Sequence, residues 1–273
     1  MTGAPTGSAP AGAEPVLCDT HAHLAYEDFA ADLEEVLARA RTAGVRQILN
    51  VGWDLDSSAA VAAAAKPAEG LYAAVGVHPH EAAKAPGDYL DRLAALARLP
   101  GVVALGEIGL DYHYDFAPRE VQQRLFAEQL ALAADLGLPV LVHDREAHAD
   151  SLAALAPRGQ VRGIMHCYSG SLEMASDFLS LGLLLGIGGP LTFKNARRVL
   201  EVVEGVPRTA VVLETDCPYL APVPFRGKRN EPAYVRQVAE VLAARWGVTL
   251  AEAAATTTAN ARRALGWAAE EAR

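Results

Sequence analysis

Eight short apolar runs, rich in β-branched residues, recur along this chain with longer helical patterns between most of them: residues 16–21, 45–51, 71–78, 102–108, 138–143, 162–167, 183–187 and 210–216. Runs that are apolar at nearly every position, rather than at alternate ones, suit parallel strands buried on both faces. Each parallel neighbour needs a crossover, and right-handed βα units repeated eight times close most simply into a barrel. The expected fold is α/β, a single (β/α)8 TIM barrel; periodicity alone leaves an open doubly wound sheet as its competitor. Helix boundaries support the alternation. Val235, Val238, Ala239, Leu242 and Trp246 keep helical spacing ahead of a Gly247 stop, and Thr249 with Glu252 reads as a capping box opening another helix. Pro118 stands where a first helical turn accepts proline, before a helix running to Gly137.

No linker or internal repeat divides the 273 residues, a length that one barrel accommodates. Residues 1–15, mostly Ala, Gly, Pro, Ser and Thr, read as a disordered leader, leaving 16–273 as the barrel domain. That leader lacks the basic start and apolar stretch of a signal peptide, and no apolar run is long enough to span a bilayer. Three cysteines, Cys18, Cys167 and Cys217, are too few for a disulfide framework and point to a reducing compartment, here the cytoplasm. A net charge of −9 argues against a broad grip on duplex nucleic acid, so any polyanion must be held locally.

The polar residues fall where the apolar runs end. The first run ends in Asp19-Thr20-His21-Ala22-His23, and residues two apart in an extended chain share a face, so His21 and His23 can reach one ion. Glu107 lies at the end of the fourth run, His143 at the end of the fifth, His166 at that of the sixth and Asp216 at that of the eighth. These are the carboxyl ends of strands, where barrel enzymes keep their active sites. One strand-end histidine is more often structural, but six ligand-type residues at the equivalent ends of five strands are not explained that way. Four imidazoles and two carboxylates suffice for two divalent ions sharing a carboxylate. None of the lysines (Lys66, Lys84, Lys194, Lys228) ends the fourth strand, so the shared ligand should be Glu107.

The segments DTHAHL (19–24), GVHPH (76–80), GEIGLDYHYD (106–115), VHDREA (142–147), MHCYSG (165–170), TFKNA (192–196), LETDCPYLAP (213–222), RGKRNEP (226–232) and NARRALG (260–266) resemble, in order and spacing, the TatD family of metal-dependent deoxyribonucleases. The resemblance implies that His21, His23, Glu107 and Asp216 hold one ion and Glu107, His143 and His166 the other. It also implies a nuclease acting on DNA, with 3′→5′ exonuclease action on single-stranded ends. A hydroxide activated by the two ions would attack phosphorus, with Asp216 managing its proton. The ligand types suit Zn, Mn, Co or Fe better than Mg without choosing among them. Hydrolysis of an aminoacyl-tRNA ester, a lactone or a small phosphoester stays open as the alternative.

Arg145, Lys194, Arg226, Lys228 and Arg229 are candidates to meet phosphates. His78 and His80, flanking Pro79, are candidates for substrate contact or for supporting a ligand, and Glu214, which shares parity with Asp216, for supporting one. By strand alternation Cys167 and Cys217 should point away from the metal into the helix layer, and all three cysteines read as small buried hydrophobes. Nothing in the sequence indicates an obligate protein partner.

Overall fold

The computed structural model describes residues 14–267, so the expected leader falls, save for its last two residues, outside it. Eight strands run β1 (Leu17–Ala22), β2 (Val45–Val51), β3 (Leu71–Val75), β4 (Val102–Asp111), β5 (Val140–Arg145), β6 (Gly163–Met165), β7 (Leu183–Ile187) and β8 (Val211–Leu213). They lie in chain order, each parallel to the next. Helices Leu33–Thr42, Leu55–Ala64, Tyr89–Leu96, Arg119–Leu136, His148–Leu155, Leu172–Ser180 and Arg197–Gly205 make the crossovers, and Val235–Trp246 and Leu250–Leu265 follow β8. Gly247 ends the first of these last two in a left-handed conformation, and the Thr249–Glu252 capping box opens the second. This is the single (β/α)8 barrel. Among the described residues no helix is long and apolar enough to cross a membrane.

The sheet closes between the first strand and the segment after the last. The backbone N–H of His23 donates to the Cys217 carbonyl and that of Asp216 to the His21 carbonyl, each at 2.9 Å. Buried Asp19 reinforces the seam. Its Oδ1 accepts from the backbone N–H of Thr215 (2.9 Å) and of His21 (3.2 Å), and its Oδ2 lies 2.6 Å from the Thr215 hydroxyl.

Two apolar clusters fill the molecule. One lies between the sheet and the helix layer. The other gathers residues of seven strands, among them Cys18, Leu49, Ala104, Leu141, Ile164 and Val212, with Ala261, Ala264, Leu265 and Trp267 at the chain's last helix. That helix is anchored beside the amino ends of β1 and β8. The Thr258 hydroxyl donates to the Val16 carbonyl, and the Asn260 amide to the carbonyls of Arg208 and Val211. It therefore stoppers the end of the barrel opposite the polar strand ends.

Burial pushes the Asp19 carboxyl up to about 8, despite the hydrogen bonds that favour its charge. Between its ordinary value of 3.8 and about 8, the folded chain therefore holds a proton that the unfolded chain releases. This group's stabilisation is complete below the lower value and is lost as pH rises through the upper one. Asparagine imitates the protonated acid. The melting temperature of Asp19→Asn relative to the parent should rise across that window by at least about 2–4 °C, equivalent to about 1 kcal/mol for a chain of this size. Thermal unfolding of both metal-free proteins from pH 4 to 8 measures it, and parallel curves would show that Asp19 does not titrate on folding.

Candidate metal centre

The carboxyl ends of the strands bring His21, His23, Glu107, His143, His166 and Asp216 together around a cavity of about 570 Å3, with all but the deeply buried His21 on its lining. Glu107 is the centre. Its Oε2 lies 3.2 Å from His21 Nε2 and 3.5 Å from His23 Nε2. Its Oε1 lies 2.8 Å from His143 Nδ1, 3.5 Å from His78 Nε2 and 3.8 Å from His166 Nε2. The two oxygens of one carboxylate thus divide the imidazoles into two groups. Asp216 closes the ring, with Oδ1 3.6 Å from His23 Nε2 and 3.7 Å from His166 Nε2.

The ring partners determine which nitrogens carry lone pairs. His23 Nδ1 donates to the Val51 carbonyl at 2.9 Å, leaving Nε2 bare towards Glu107 and Asp216. His166 Nδ1 lies 3.1 Å from Glu214 Oε1, which also accepts from the Cys167 backbone N–H at 2.7 Å. Glu214 thus orients His166 as a supporting carboxylate. Gly186 makes room for it, since a Cβ there would overlap Glu214 Oε2. His21 Nδ1 is buried without a partner, and its Nε2 lies 3.2 Å from that of His23. Two imidazole nitrogens this close face each other through a single proton or through a shared cation. The donor set therefore fits divalent metal, and its nitrogen-rich make-up suits Zn, Mn, Co or Fe.

His78 and Asp111 complete the cluster. His78 Nδ1 accepts from the His80 backbone N–H (3.1 Å), which assigns the proton of the neutral ring to Nε2, facing Glu107. Burial holds His78 down at about 4, so the ring is neutral. It belongs to the floor of the site more than to its surface. Asp111 holds His143 Nε2 at 3.2 Å and His80 Nε2 at 2.8 Å. The expected fourth strand stopped at Ile108; the observed one continues to Asp111, two alternations past Glu107, and that parity was the signal available. Gly109, at φ +144°, allows β4 this close to β5, since a Cβ would overlap the His143 carbonyl.

Burial raises Glu107, but the neighbouring His78, His21 and His166 outweigh it and hold the carboxyl well below its ordinary range. Burial lowers His143 and His166, yet Asp111 and Glu107 raise the first to about 9, and Glu214, Glu107 and Asp216 the second to about 10. Burial pushes His21 down and Asp216 up to about 6.

Two expectations change. Cys167 does not point into the helix layer. Its Sγ lies within 4.8 Å of ligand atoms of both His166 and Asp216. Strand β6 ends at Met165 and Cys167 has φ +44°, so two-residue alternation no longer applies there. Cys217 is in the helix-layer cluster as expected. Arg229 is not poised for phosphate, because it grips Asp32 through two nitrogens at 2.8 and 2.7 Å and lies over the Phe29 ring. Its neighbours Asn230, bonded to the Thr215 and Tyr219 carbonyls, and Glu231, paired with Arg39, likewise fasten the loop after β8.

Of the other basic candidates, Arg145 lines the cavity, its guanidinium 4.8 Å above the Tyr114 ring. Arg226 lies 3.9 Å over Phe193, which lines a neighbouring cavity of about 600 Å3 between Cys167 and Arg198. Lys194 and Lys228 are exposed and line neither.

The family model described as TatD related DNase matches residues 18–266. The uncharacterized metal-dependent hydrolase YabD of Bacillus subtilis is 43% identical over 91% of this chain and 98% of its own. A protein of Cronobacter sakazakii named 3′-5′ ssDNA/RNA exonuclease TatD is 39% identical over 90% of this chain and 96% of its own. The crystal structure of YJJV, a TatD homologue from Escherichia coli K12, superposes with a TM-score of 0.85 at 35% identity, covering 92% of this chain and 98% of that one.

Proposed function

The chain belongs to the TatD-related DNase family of metal-dependent hydrolases that act on ester bonds, and we propose that it is an exonuclease removing nucleotides from the 3′ ends of single-stranded DNA. The observation that carries this reading is the division of five imidazoles between the two oxygens of Glu107, with Asp216 facing both groups and Arg145 on the wall of the same cavity. In this reading His21, His23, Glu107 and Asp216 hold one ion and Glu107, His143 and His166 another. Bound divalent ions supply positive charge to the phosphoryl oxygens and acidify water.

The chain's own side chains do the rest. Asp216, at the cavity wall, takes the proton of the attacking water. Arg145 holds a phosphate oxygen of the neighbouring nucleotide, where a guanidinium can bind two oxygens at once. Glu214 and Asp111 fix the His166 and His143 rings, so neither has to reorganise as charge develops. His78 donates to Glu107 and steadies the shared carboxylate. Three cysteines, two of them buried and none in a disulfide among the described residues, suit a reducing cytoplasm.

The test is a 5′-labelled single-stranded oligonucleotide incubated with metal-replete protein. A ladder shortening one nucleotide at a time from the 3′ end is expected, abolished by chelator and restored by Mn or Zn. An intact oligonucleotide alongside turnover of an aminoacyl ester or lactone would replace the nuclease reading with the other ester chemistry.

A further inference from the structure

Among the described residues, six large hydrophobic side chains stand exposed, and three of them are aromatic: Tyr114, Phe116 and Tyr219, at 47, 65 and 50%. Two of them are on the lining of the Glu107 cavity and the third packs against one of these. Tyr114 and Tyr219 line the cavity, and Phe116 stacks on Tyr114 with ring centroids 5.3 Å apart and planes 22° from parallel. Each is braced from behind. Phe116 also meets the His80 ring edge-on at 4.8 Å, and the Arg145 guanidinium lies over Tyr114. Tyr219 stands edge-on to Tyr26 at 5.7 Å, and Tyr26 in turn stacks on Trp53, 4.1 Å away and 6° from parallel. Aromatic surface left in water is unfavourable for folding, and rings already held by neighbours lose little freedom when a flat partner arrives.

We propose that these side chains form two stacking platforms, Tyr114–Phe116 on one wall and Tyr219 on the Tyr26–Trp53 pair on the other, that take unpaired bases flanking the scissile phosphate. The proposal rests on the exonuclease reading and adds to it the origin of single-strand selectivity. A net charge of −9 disfavours a broad electrostatic grip on a polyanion. Stacking supplies affinity without such a grip and without regard to sequence, because every base has a π-face. A duplex end offers bases already paired and stacked, so it must first unwind to use the platforms. Arg145, over the Tyr114 ring and on the cavity lining, supplies a cation for the phosphate beside the first stacked base.

The experiment measures binding of metal-loaded protein to a non-cleavable phosphorothioate oligo(dT) and to the same strand made abasic at its last two positions. Phe116→Ala and Tyr219→Ala are compared with the parent, and unchanged melting temperatures confirm their folds. Each substitution should raise Kd for the base-bearing strand by about 5- to 150-fold. Removing the bases should weaken the parent to a similar extent but the variants much less. Phe116→Trp should retain tight binding. Equal losses on base-bearing and abasic strands, or no loss, would overturn the platforms while a parent that still degrades single strands keeps the exonuclease reading. A parent that neither binds nor degrades any oligonucleotide would overturn both.

Discussion

Glu107→Ala should strip the protein of both divalent ions and lower turnover by about 10³-fold or more. Its carboxylate gives one oxygen to each set of imidazoles, Oε2 to His21 and His23 and Oε1 to His143 and His166. Alanine therefore removes a ligand and a negative charge from each set at once. Lewis-acid charge contributes several kcal/mol to a reaction of this kind, and each 1.36 kcal/mol is tenfold in rate. Asp216→Ala, by contrast, removes a side chain whose Oδ1 reaches His23 and His166 at 3.6 and 3.7 Å. It should leave the His143 half of the cluster largely loaded. Elemental analysis of both variants after loading and gel filtration makes the comparison. A Glu107→Ala protein that keeps two tightly bound ions would show that Glu107 does not join the halves.

Asp216→Asn separates binding from chemistry. Asparagine keeps the size and one oxygen but loses the basicity needed to take a proton from water. Asp216 has φ +58°, a conformation asparagine tolerates better than most residues, so the loop after β8 should hold its shape. With metal in excess, the loss should fall on kcat rather than KM, as for an interaction made chiefly in the transition state. Proton acceptance by a positioned side chain contributes about 10²–10⁴ in rate. Single-turnover cleavage of a short single strand, with metal content verified, reads the effect. A fully loaded Asn variant working at the parent's rate would leave Asp216 a ligand and nothing more.

The barrel was legible because strands buried on both faces leave continuous apolar runs. Residues 45–51 and 183–187 coincide with β2 and β7. Ends were harder. The runs at 162–167 and 210–216 shrink to Gly163–Met165 and Val211–Leu213, because Cys167 and Asp216 adopt left-handed backbone conformations and the chain leaves the sheet before reaching them. His166 and Asp216 could still be placed at the mouth, since a loop leaving a strand end emerges there whatever its conformation. The direction of Cys167 could not, because alternation presumes an extended backbone. Asp111 was hidden by a strand longer than its apolar run. Arg229 was misread because its role depends on Asp32, far away in sequence, which local pattern does not reveal. The tautomers of His78 and His23 depend on the backbone groups they face, His80 N–H and Val51 carbonyl.

The stoppered end of the barrel has a consequence for the chain as it emerges from the ribosome. The interior cluster draws on seven strands yet is sealed by Ala261, Ala264, Leu265 and Trp267, and the Asp19–Thr215 seam spans nearly two hundred residues. A nascent chain that has reached β7 thus owns most of its apolar surface with neither the seam nor the plug to hide it. Burial of that surface waits on the seam and the plug, so the interval before the helix Leu250–Leu265 is released is when the chain most needs shelter from its neighbours.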